Sequence, residues 1–148
     1  MQHNFRELKV WQRAIQYTTD IYRYSQRFPK EEQFGLTSQI RRAAISIALN
    51  IAEGSGGSSN IEFVRFLEIA RRSAYETMTA LEVSLRLEYG NVTEIEKLSK
   101  EADEIAAMLT GLVKTLKSAL WKKSSYAIKT FPILPTLTCM NGMAVITR

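Results

Sequence analysis

Histidine and cysteine are almost missing from this chain, with His3 and Cys139 the single copies among 148 residues. A lone cysteine closes no internal disulfide, so nothing in the sequence asks for an oxidising compartment. A histidine at position 3 gives a Ser-His or Cys-His mechanism no well-placed base. Metal sites in helical bundles use paired Glu-x-x-His elements, and the sequence has none. Cys139 has no neighbours that would complete a zinc site or activate it as a nucleophile. The expectation is a non-enzymatic protein with no catalytic residue, metal or cofactor. Long apolar runs are missing too. None approaches the ~18 residues that span a bilayer, and the N-terminal MQHNFRELKVWQ lacks the apolar core of a secretory signal. That predicts a cytoplasmic protein with no membrane partner.

Only three prolines and seven glycines interrupt the chain, and what remains reads as helix. In the stretch QIRRAAISIALNIAEGSGG, Leu36, Ile40, Ala43, Ala44, Ile47, Ile51 and Ala52 recur at helical spacing, with small alanines that admit a close neighbour. Gly54 reads as the stop. A first helix is predicted over 5–27, with Leu8, Trp11, Ile15, Thr18, Tyr22 and Ser25 facing inward, the stripe widened by Ala14 and Ile21, and Tyr17 and Tyr24 at the bundle edge. Phe34 is expected to anchor the next loop. A third helix over 61–89 opens with a Ser59/Glu62 capping box and closes at Gly90. Its core stripe is Phe63, Phe66, Leu67, Ala70, Ala74, Met78, Leu81 and Leu85. A second apolar set (Ile69, Tyr75, Val83, Leu87) hints at contacts between subunits. A Thr93/Glu96 box opens the fourth helix, whose acids come first and whose Lys114 and Lys117 come last, as the helix dipole favours. The fold class is all-α: an up-down-up-down antiparallel four-helix bundle over residues 1–118. Residues 119–148 form a basic and apolar C-terminal tail.

The net charge of +5 is concentrated in the first two helices and the tail, whose four basic side chains have no acidic counterpart. Such a surplus favours phosphate backbones. The candidates for nucleic-acid contact, RNA or DNA, are Arg41, Arg42, Arg65, Arg71, Arg72, Lys122 and Lys123. The loop Ser55-Gly56-Gly57-Ser58 is no P-loop, since no strand precedes it and no lysine-serine pair ends it.

Several blocks together resemble a known family: FRELKVWQRA, Phe28-Pro29, EQFGLTSQIRRAAISIALNIAEG, EFVRFLEIARRSAYE and LEYG. They look like the bacterial proteins encoded by intervening sequences inside large-subunit ribosomal RNA genes, over roughly residues 5–117. The resemblance implies a four-helix bundle assembling as a homopentamer, with no established enzymatic activity. It also implies kinship with the accessory variability proteins of diversity-generating retroelements, which bind a reverse transcriptase and nucleic acid, so a protein partner is the alternative to RNA. The motif positions carried over are Trp11, Gln39, Arg41, Arg42, Ser46, Asn50, Glu53 and Gly54, with Phe63, Phe66 and Ser73. Gln39, Ser46, Asn50, Glu53 and Gly54 are expected to form a polar network that fixes helix ends. Two positions depart from the family pattern. Its basic residues after the Glu-Gly pair are replaced by Ser55-Gly56-Gly57-Ser58, and Arg72 stands where a small residue is common.

Overall fold

The computed structural model describes residues 4–129, with side chains through Lys122. Four helices follow one another: α1 (Lys9–Ser25), α2 (Leu36–Gly56), α3 (Asn60–Arg86) and α4 (Val92–Lys129). A 3-10 turn over Phe5–Glu7 precedes α1, and another over Lys30–Glu32 lies between α1 and α2. The described residues contain no strand. Helix α2 packs between α1 and α3, α4 closes on α3 and α1, and each helix runs antiparallel to the one before it. Cross-helix bonds fix this order: Thr18 Oγ1 donates to the Ala44 carbonyl (3.1 Å), Ser46 and Ser73 hydroxyls meet at 2.9 Å, and Lys117 reaches Glu68 at 2.8 Å. The fold is the expected all-α four-helix bundle.

The core is a column of fully buried side chains. Tyr17, Ile21 and Tyr24 come from α1, Ile40, Ile47 and Ile51 from α2, Phe63, Leu67 and Leu81 from α3, and Ile105 and Leu109 from α4. Each large apolar side chain so placed contributes roughly 1.5–3 kcal/mol relative to leaving it exposed. This face of α1 overlaps the predicted one only in part, since Ala14, Ile21 and Ser25 are buried as expected. Tyr17 and Tyr24 are buried, whereas Ile15 and Tyr22 of the expected stripe are exposed. Both sets recur at helical spacing. The set containing the two tyrosines wins because Val10, Ala14, Tyr17, Ile21 and Tyr24 fill the interior. Ser84 also supplies the buried Tyr24 hydroxyl with a partner at 2.7 Å.

Glycine plays a packing role where the sequence suggests a stop. Gly54 lies inside α2, which continues to Gly56, and no glycine among the described residues has a positive φ. A Cβ on Gly54 would stand 2.5 Å from Phe66 Cβ and 2.9 Å from the Phe63 ring, so glycine lets α3 approach. Nor does Gly90 close α3. The turn is a Schellman motif with Glu88 as its left-handed residue (φ 58°). Tyr89 N–H donates to Ser84 O (2.9 Å) and Glu88 N–H to Leu85 O (3.0 Å). Gly90 instead makes room for the Tyr24 ring, which a Cβ would meet at 2.6 Å.

Helix starts are closer to expectation. Ser59 caps α3 by accepting from Glu62 N–H at 3.2 Å, while the Glu62 carboxylate accepts from Ser58 N–H. The cap of α4 is Asn91 rather than Thr93, its side-chain oxygen accepting from Thr93 N–H at 2.9 Å. Phe34 anchors nothing and is 91% exposed. At the other end, α4 runs on to Lys129, past the position where the predicted bundle stops at 118. The reason is local, because no proline or glycine interrupts the chain between Gly111 and Pro132.

Candidate nucleic-acid interface

The expected polar network is built on the α2–α3 seam. Asn50 Nδ2 donates to the Ser46 carbonyl (2.7 Å) and hydroxyl (3.0 Å). The Ser46 hydroxyl meets that of Ser73, which also donates to the Ile69 carbonyl (3.2 Å). Gln39 lies two turns away and bonds Glu76 at 2.7 Å. Glu53 is exposed and stands outside these bonds, and Gly54 belongs to the packing contact with Phe63 and Phe66. The bonds link two helices through short hydroxyl and amide groups whose donors are satisfied within the protein. Their geometry is that of a helix clamp.

The six basic candidates whose side chains are described divide between two faces. Arg41 turns toward α1, where its Nε donates to the Ser25 hydroxyl at 2.7 Å and its guanidinium lies 4.9 Å from the Tyr22 ring centroid. Arg41 and Arg42 line a shallow groove of about 360 Å³ with Tyr22, Phe34 and Ile45. This groove is remote from the α3–α4 side, and Arg41 is already engaged there.

Arg65 and Arg72 are exposed two turns apart on α3, and Arg71 points toward α4, where its Nη1 reaches Thr110 Oγ1 at 3.5 Å. The Arg71 Nε is buried with no acceptor among the described residues, so this guanidinium is committed to no carboxylate. Lys122 lies exposed on the distal part of α4, and the Lys123 side chain falls outside the described residues.

Three side chains join this face that the charge pattern left out. Lys114 and Lys117 continue it along α4, and Trp121 follows one turn beyond Lys117, 75% exposed. Together with Thr110, Val113 and Lys122 they line a groove of about 640 Å³. Lys117 bonds Glu68 at 2.8 Å and holds that carboxyl below the usual carboxylate range, with Arg71 and Arg72 adding to the same pull. Arg71, Arg72 and Lys117 thus surround Glu68, and Lys114 and Lys122 line the adjoining groove with Lys117, giving a positive surface on α3 and α4. The signal was legible in the spacing of Thr110, Lys114, Lys117 and Trp121, which share a helix face once α4 is known to continue. An end at 118 assigned Trp121 and Lys122 to a tail instead.

A second feature is apolar. Ile15 and Tyr22 on α1, Ile45 and Leu49 on α2, and Ile69 on α3 are exposed on the outer side of the α1–α2–α3 layer. Ile69 comes from the secondary apolar set predicted on α3. The others of that set, Tyr75, Val83 and Leu87, are also exposed.

Among the described residues no group of three or more His, Cys, Asp or Glu is placed to hold a metal ion, and no helix is long and apolar enough to cross a membrane. Residues 6–111 match the family model described as 23S rRNA-intervening sequence protein. A crystal structure of a protein of unknown function from the S23 ribosomal protein family of Bacteroides thetaiotaomicron is similar to this chain, with a TM-score of 0.66 and 28% identity. That likeness covers 71% of this chain and 95% of the other. No curated protein matches.

Proposed function

The chain belongs to the 23S rRNA-intervening sequence protein family, and from that membership we propose a non-enzymatic, oligomeric bundle that associates with nucleic acid, RNA in the first place, through its basic surface. The observation that carries this reading is that Arg71, Arg72 and Lys117 gather around Glu68 while Lys114 and Lys122 line the adjoining groove with Lys117 on α4. Cations so grouped bind phosphates without sequence preference and release counterions as they do so. The bundle supplies a rigid platform, and a ring of identical subunits would repeat the patch around the assembly.

Binding to a structured RNA and to duplex DNA, read at two salt concentrations, tests the proposal. The Arg71→Ala/Arg72→Ala double variant is expected to weaken binding similarly across sequences. It should also lower the slope of log affinity against log salt by roughly one to two contacts' worth. An unchanged slope in the double variant refutes this site.

The exposed row Ile15, Tyr22, Ile45, Leu49 and Ile69 favours a second reading, a scaffold that binds a partner protein. In the proposal preferred here the same row is where copies of the chain meet, because an apolar centre with a polar rim suits a protein contact.

A further inference from the structure

We infer that the α4 groove carrying Trp121 is a track for single-stranded nucleic acid, in which the indole stacks on a base while Lys114, Lys117 and Arg71 hold the flanking phosphates. This rests on the nucleic-acid reading above and specifies the strand form and the face. Four observations support it. Trp121 is 75% exposed, on a helix whose other described apolar residues are turned largely into the bundle. Its groove is floored by the buried Val113 and edged by Lys114, Lys117 and Lys122, so an apolar wall and a positive edge lie side by side. One turn separates Trp121 from Lys117, a rise of about 6 Å, which is close to the span from a base to its neighbouring phosphates. Finally, Arg71 extends the positive edge from α3 through Thr110, with no carboxylate bound to it among the described residues.

Charge complementarity selects a polyanion, and the ring selects its form. In a duplex the base faces are stacked on one another and closed to a side chain, whereas a single strand offers every base to an aromatic ring. An anionic lipid surface would also meet the lysines, but stable attachment there calls for a broad apolar face rather than one ring set among cations.

The test uses the full-length protein and a labelled single-stranded RNA of about 12 nucleotides, within the usual span of such sites, beside its duplex and vesicles of phosphatidylglycerol and phosphatidylcholine. Trp121→Ala is expected to lower affinity for the single strand about fivefold or more while leaving its salt slope and duplex binding unchanged. Trp121→Phe should recover most of the loss. Trp11 and Trp121 are the chain's two tryptophans, so in a Trp11→Phe background the emission reports Trp121 alone and should be quenched by the single strand. Retention of single-strand affinity in Trp121→Ala overturns this inference and leaves nucleic-acid association standing, as does equal affinity for the duplex. Absence of binding to either nucleic acid overturns both. Quenching by the vesicles but not by RNA overturns this inference and assigns the Trp121 face to a lipid surface.

Discussion

At the scale of single residues, two buried tyrosines on one helix have opposite roles. The Tyr24 hydroxyl meets Ser84 Oγ at 2.7 Å, whereas the Tyr17 hydroxyl is buried with no hydrogen-bond partner among the described residues. An unmet buried hydroxyl costs roughly 1–3 kcal/mol, and a satisfied one contributes about 1 kcal/mol. Tyr17→Phe is therefore expected to raise stability in urea unfolding by about 1 kcal/mol, and Tyr24→Phe to lower it by a similar amount. The two also set an alkaline limit. Burial pushes the Tyr17 hydroxyl well above its ordinary value of 10.0, with Glu101 adding to the shift, and burial raises Tyr24 as well. A hydroxyl whose folded pKa exceeds its unfolded one contributes full stability below pH 10 and loses it progressively as pH rises beyond that point. Unfolding measured at about pH 9 and about pH 11 should show the wild type losing more stability than Tyr17→Phe. Equal losses would show that Tyr17 ionises as freely in the fold as outside it.

At the scale of the helix pair, Gly54 and Gly56 separate two effects that glycine has in a helix. Both lie in α2. A Cβ at Gly54 would meet Phe66 Cβ at 2.5 Å, whereas one at Gly56 would meet nothing within 4 Å. Alanine gains roughly 1 kcal/mol over glycine in a helix interior, and overpacking a well-filled contact costs about 1–3 kcal/mol. At Gly54 the clash wins because Phe66 Cβ is fixed to the α3 backbone and cannot swing aside. Gly54→Ala should therefore destabilise the bundle by about 1–2 kcal/mol, and Gly56→Ala should stabilise it by up to about 1 kcal/mol. Thermal unfolding followed by circular dichroism distinguishes these signs. Opposite signs identify a packing glycine and a merely permissive one, and a gain at both positions would show that α2 and α3 do not meet at Gly54.

At the scale of the whole molecule, the outer layer formed by α1, α2 and α3 carries Leu49 at 58% exposure among Ile15, Tyr22, Ile45 and Ile69. Large apolar side chains exposed on neighbouring helices are characteristic of a surface that another protein covers. Leu49→Glu is expected to reduce the mass read by light scattering to that of one chain, with the helical signal unchanged. A wild-type chain that is already monomeric, or a variant that keeps its oligomeric mass, would assign the row to another partner. The basic face on α3 and α4 is distinct from this row, so the same variant is expected to retain contact with a short RNA.

Sequence alone determined the four helices, because apolar spacing, the Ser59 cap and short polar connections are local and each acts within a few residues. It also determined the family, through blocks such as EQFGLTSQIRRAAISIALNIAEG that occur in order along the chain. Tertiary structure decided which of two apolar stripes on α1 turns inward, since Ile15 and Tyr22 have the same period as Tyr17 and Tyr24 and only packing against Ser84 and the core separates them. It converted Gly54 from a helix stop into a contact with Phe63 and Phe66, a role set by another helix and invisible in local conformation. It also divided the predicted arginines, drawing Arg41 to Ser25 and Tyr22 while placing Arg71 beside Thr110. Charge along a chain is one-dimensional. Which cations share a surface depends on how helices far apart in sequence are set side by side.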